Sequence, residues 1–147
     1  MKKTKNEQRY VRFHVRVDEA LTRASESTGL KRATLVAWIL STYLRTINEK
    51  IERGEISLVP MAAPDTDAPT ALRPEDLGIS PLSLLYSLKI GRSEGHAPRM
   101  IGKGLLVTLP PAEWVQLSTM ADLCEMSVNH FRSAVVATFL IEQQVLT

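Results

Sequence analysis

The sequence predicts a mainly α-helical protein carrying a single two-stranded antiparallel β-ribbon. Three observations lead there. A stretch near the start alternates apolar and polar residues with a period of two. Two segments of helical period follow it, separated by a Gly-Leu break. The same order of strand, helix, turn and helix then returns from Leu105 onward.

The alternating stretch is Arg9 to Val17, RYVRFHVRV. Val11, Phe13, Val15 and Val17 alternate with Tyr10, Arg12, His14 and Arg16, which places one set on each face of a strand. The outward set holds two Arg, one His and no acid, a face suited to an anionic partner. A first helix is expected over 18–28, with Asp18 as its N-cap and its acid at the positive helix end. Gly29 fits the left-handed position that terminates a helix. In the second helix, over 33–53, Leu35, Trp38, Ile39, Thr42, Tyr43, Ile47 and Ile51 recur at three and four. Val36, Leu40 and Leu44 widen that stripe to most of the circumference. A helix apolar nearly all round is buried on more than one side, and so short a unit cannot supply that cover alone.

Residues 55–103 read as a linker. Val59 to Pro74 is rich in Pro, Ala and Asp and lacks periodicity. Pro81 heads a short helix over 81–90, and 91–103 is loop. In the last stretch Leu105, Val107 and Leu109 alternate with Leu106 and Thr108. Pro110-Pro111 ends that strand and begins a helix, because proline is tolerated in a first helical turn. Trp114, Leu117, Met120, Ala121 and Cys124 follow a helical period. Ser127 is the N-cap of a last helix carrying Phe131, Val135, Thr138, Phe139 and Val145. Aligned by pattern, Phe13, Val15 and Val17 match Leu105, Val107 and Leu109, and the first copy's first helix is about one turn shorter than the second's.

Charge is unevenly divided. Residues 1–54 hold 12 Lys or Arg against 6 Asp or Glu, and residues 55–147 hold 6 against 10, beneath a formal net charge of +2. The first part is suited to a polyanion and the second is not. No apolar run is long enough to cross a bilayer, no signal-peptide core follows the Lys-rich start, and the single Cys124 forms no internal disulfide; together these point to the cytoplasm. There is no Walker loop, no dinucleotide-binding glycine turn and no metal-ligand spacing, so neither an enzyme nor a metal or cofactor site is expected.

The strand-helix-turn-helix order, twice, resembles the ribbon-helix-helix superfamily of Arc, MetJ and CopG type, whose paired strands enter the DNA major groove. The resemblance implies a tandem ribbon-helix-helix pseudo-dimer: a basic arm at 1–8, a first copy at 9–54, the linker, and a second copy at 104–147, both copies forming one compact domain. It implies a sequence-preferring binder of double-stranded DNA, monomeric in solution and able to assemble on DNA. Its role is accessory to conjugative or plasmid DNA processing, alongside a relaxase or partition ATPase, or that of a transcriptional repressor. The alternative is an antitoxin-like interaction module that grips a partner protein through the middle segment.

Base contacts are expected from Arg12, His14, Arg16 and Thr108, since Arg reads guanine through a bidentate contact and Thr meets a base or thymine methyl. Leu106 lies on the same face and packs against Tyr10 or a thymine methyl. Phosphate contacts are expected from Lys2, Lys3 and Lys5 of the arm, from Lys31, Arg32 and Thr34 at the start of the second helix, from Lys103, and from Ser127 and Asn129 at the start of the last helix.

Overall fold

A computed structural model describes residues 6–56, 58, 73–86 and 104–144. The order is β1 (Glu7–Val11), α1 (Val15–Thr28), α2 (Arg32–Glu52), two 3-10 turns (Pro74–Leu77 and Pro81–Tyr86), β2 (Leu105–Leu109), α3 (Pro111–Leu123) and α4 (Val128–Glu142). The chain is therefore mainly helical with one two-stranded antiparallel sheet.

β1 pairs with β2 from the opposite end of the described chain, with Arg9 opposite Val107 at the middle and Glu7 opposite Leu109 at one end. The expected first strand over 9–17 is corrected. It lies earlier and is shorter, and α1 begins at Val15. Phe13 and Val17 satisfy both periods, because Val17 also stands three and four residues before Ala20 and Leu21 on a helical face. A two-stranded ribbon is only as long as its shorter strand. β2 has five residues, and Pro110 beyond it, at the Glu7 end of the ribbon, has no N–H to continue the ladder there. At the other end the described ladder closes on the Val11–Leu105 pair, and α1 begins four residues after Val11.

The helix start differs as well. His14, not Asp18, is the N-cap of α1: its Nδ1 accepts a hydrogen bond from the Arg16 backbone N–H at 3.1 Å. Asp18 instead lies in the first turn and pairs with Arg32 at 2.8 Å, tying α1 to the start of α2. α1 and α3 consequently have 14 and 13 residues, so the first helix is not the shorter one.

The caps reveal a regular spacing. Pro110 stands 96 residues after His14, and both cap a first helix. Ser127 stands 96 after Lys31, and both cap a second helix. Glu125, at φ 56, stands 96 after Gly29, at φ 76. The left-handed residue that turns the chain from one helix into the next thus recurs at one offset, with glycine at one site and a non-glycine residue at the other. This offset replaces the pattern alignment by four residues: Val11 corresponds to Val107 and Phe13 to Leu109.

The halves interleave. α2 packs on β2, α3 and α4, while α1 packs on α4, and α4 reaches β1. The core runs through both, with Val11, Phe13, Leu21, Val36, Leu40 and Leu44 buried beside Val107, Leu109, Trp114, Leu117, Phe131 and Val136. The all-round apolar character of α2 is met mainly by elements from the other end of the chain. α4 is buried nearly all round because the turn at 81–86 also lies on it. Among the described residues no helix is long and apolar enough to cross a membrane.

Candidate functional site

The ribbon has an inner and an outer face. Val11, Val107 and Leu109 are buried inward. The opposite parity carries Gln8 and Tyr10 from β1, Arg12 just beyond its end, and Leu106 and Thr108 from β2, all exposed. Tyr10, 65% exposed, and Leu106, 38% exposed, stand directly opposite each other, one pair in from the Val11 end of the ribbon. Gly104 makes room for the Tyr10 ring: a Cβ there would stand 3.1 Å from Tyr10 Cδ1.

The expected base-contacting set is therefore rearranged. Arg12 and Thr108 remain on the outer face. His14 does not: it is 8% exposed and its Nδ1 is committed to capping α1. Burial, then the neighbouring Arg16, lowers its pKa below the usual value, against a smaller upward pull from Glu19. The cap needs an unprotonated Nδ1, so the cationic form that would suit DNA opposes the fold at this position. Arg16 is exposed but lies in the first turn of α1, off the strand. Gln8 was missed, and Tyr10 was placed on this face but not among the base contacts, because the alternation, read as starting at Arg9, centred the strand too late. Their signal was the parity itself: with Val11 inward, even-numbered neighbours point out.

A clasp fixes the end of the ribbon. The Asn129 side chain accepts a hydrogen bond from the Arg12 backbone N–H at 2.9 Å, and its amide donates to the Arg12 carbonyl at 3.1 Å. Asn129, expected at a phosphate, clamps the Arg12 backbone in the free protein: it brings the N-terminus of α4 against the loop carrying Arg12. Its counterpart at the 96-residue offset is Ala33, which has no such reach, so only one end of the ribbon is held this way. The other end of β1 is pinned by Trp114, whose indole N–H donates to the Glu7 carbonyl at 2.9 Å. The buried Arg132 guanidinium stacks on that indole, 4.6 Å from the ring centre. Burial foremost, and then Arg9, bring the Arg132 pKa down to about 10, leaving it cationic under the ribbon at neutral pH.

The two second helices begin differently. Ser127 accepts a hydrogen bond from the His130 backbone N–H at 3.2 Å, an ordinary N-cap. Lys31 has no acceptor in its side chain and makes no such cap on α2, so charge rather than a hydroxyl marks that helix end. Lys31 and Thr34 are exposed, whereas Arg32 is half-exposed in its pair with Asp18. A pair of that exposure is worth only about 0–1 kcal/mol, little enough for a phosphate to compete. Among the described residues, Arg12, Arg16 and Lys31 form no ion pair. Lys2, Lys3, Lys5 and Lys103 lie outside the described residues.

Elsewhere, Cys124 is buried, and burial followed by Asp76 and Glu75 pushes its thiol up to about 11, away from a reactive thiolate. No group of three metal-ligating side chains comes together among the described residues. No protein-family profile, curated protein or solved structure matches the chain.

Proposed function

We propose that the chain is a tandem ribbon-helix-helix protein, its two halves joined as a pseudo-dimer, and that its ribbon reads the major groove of duplex DNA. The observation that carries this reading is the antiparallel pairing of two strands far apart in the chain, with an outward face that no described element covers. A two-stranded ribbon fits the major groove. Arg12 supplies the bidentate donor, Gln8 an amide able to pair with a base edge, Tyr10 and Thr108 hydroxyls, and Leu106 an apolar contact for a thymine methyl. Arg16, Lys31, Arg32 and Thr34, with the lysines of the arm, serve the phosphates. Because the Arg12 backbone is clamped, the point from which its side chain reaches is fixed before binding.

The biological setting that accompanies this reading is accessory work in conjugative or plasmid DNA processing, or repression of transcription. The antitoxin-like alternative is less well supported. The Ser80 backbone N–H is held by the Thr138 hydroxyl at 3.0 Å and Ser83 is buried, so the described part of the middle segment is packed on α4.

The test is binding to a pool of random duplexes across a salt series. Affinity should fall steeply with salt through counterion release. Arg12→Ala should cost about 1–3 kcal/mol on the selected site and relax its preference there. His14→Asn, which keeps a capping acceptor, should leave the selected sequence unchanged. Undiminished binding when Arg12 and Tyr10 are both replaced by Ala would remove the ribbon from the interface.

A further inference from the structure

The described part of the segment between the two halves covers one side of the molecule and not the corresponding side. Leu77 and Ile79 are buried at 0% and 2% exposure. The Tyr43 hydroxyl donates to the Leu77 carbonyl at 2.6 Å, and Glu75 and Asp76 lie near enough to Cys124 to raise its pKa electrostatically. The surface beneath is closed: Phe131, Ala134 and Cys124 are 0%, 2% and 8% exposed.

The 96-residue offset turns that covered surface into another one. Tyr43 corresponds to Phe139, Cys124 to Thr28, Met126 to Leu30, Phe131 to Leu35 and Ala134 to Trp38. These five counterparts line one groove of about 590 Å³. There Trp38 is 52% exposed, its ring edge-on to Phe139 at 5.5 Å, and Leu30 is 43% exposed. No described segment covers this groove. Where the closed side has Thr119, the groove wall has Arg23.

We propose that this groove docks a short segment of a partner protein with the chemistry of Pro74–Ile79: one helical turn presenting two aliphatic side chains two residues apart, with carboxylates just before them. The chain's own segment shows that a surface of this plan accepts such a turn. An exposed Trp in an apolar recess is the usual anchor of a protein interface, and the volume suits a few side chains. Lys31, next to Leu30, complements the acids. None of the groove residues lies on the ribbon, although Lys31 beside the groove is shared with the proposed phosphate contacts.

The probe is a synthetic peptide of residues 73–83, RPEDLGISPLS, added to the full-length protein. Trp114 is buried and gives a constant background, so the emission reports Trp38. A saturable blue shift at or below millimolar peptide is expected, with amide shifts clustered around Leu30, Trp38 and Phe139. It should be lost when serines replace both aliphatic residues of the peptide, and weakened about tenfold or more by Leu30→Glu in the protein. Three results would overturn the proposal. The first is no saturable shift. The second is amide shifts around Tyr43 and Cys124 instead, meaning that the peptide merely displaces the chain's own segment. The third is the same blue shift appearing with protein concentration alone, which would give the groove to a second copy.

Discussion

Asn129→Ala separates a structural role from a DNA-contacting one. The substitution deletes two hydrogen bonds to the Arg12 backbone, at 2.9 and 3.1 Å. Each such bond contributes about 0.5–1.5 kcal/mol net, and the exposed Arg12 backbone regains water when the clasp is lost, so the total cost should be about 1–2 kcal/mol. For a chain of this size that lowers Tm by about 3–6 °C. Arg12→Ala leaves the same backbone groups in place, so the Tm cost of Asn129→Ala should be equal in the wild-type and Arg12→Ala backgrounds. DNA affinity should behave oppositely. If Asn129 acts by aiming Arg12, its replacement weakens binding in the wild type and changes nothing once Arg12 is already Ala. The assays are thermal unfolding and fluorescence-anisotropy titration on one selected duplex for all four proteins. An affinity loss of the same size in both backgrounds would refute the reasoning and return Asn129 to direct contact with phosphate.

Three further outcomes are expected. Because the folded-state pKa of His14 is depressed, its cap contributes fully above the unfolded value of about 6.5 and is lost as pH falls through the folded one; thermal melts from pH 7.5 to 5.5 should show a drop that His14→Asn reduces, and identical profiles would sink the assignment. A fragment ending at Gly54 lacks the β2, α3 and α4 surfaces that cover Val36, Ile39, Leu40 and Leu44, so circular dichroism and sedimentation should find it unfolded or self-associated, and a cooperatively folded monomer would contradict the interleaving. The outer face carries Gln8, Tyr10 and Arg12 from one side but Gly104, Leu106 and Thr108 at the corresponding places on the other. The selected duplex should therefore be non-palindromic, with guanine favoured on the Arg12 side and thymine tolerated opposite; an inverted repeat bound by one chain would overturn the pseudo-dimer.

The kinds and order of elements were legible in the sequence because each had a local cause. β2 was bounded by Pro110, α1 by Gly29, and α4 opened on a serine that does cap it. The need of α2 for cover on several sides followed from its nearly unbroken apolar circumference, which a local pattern records completely. The division of charge likewise pointed to the first half as the cationic one.

The extent of the first strand did not follow from the sequence. Between Phe13 and Val17 the residues fit a strand and a helix equally, and the described pairing with β2, nearly a hundred positions away, ends at Val11 and Leu105 while α1 begins at Val15. That shift moved His14 from a reading face to a helix cap and put Gln8 and Tyr10 in its place. The Asn129 clasp, the Trp114 pin and the covering of one groove but not its counterpart are of the same kind. Each joins groups far apart in the chain, and hydrogen bonding and burial between such groups depend on distances that only the folded chain establishes.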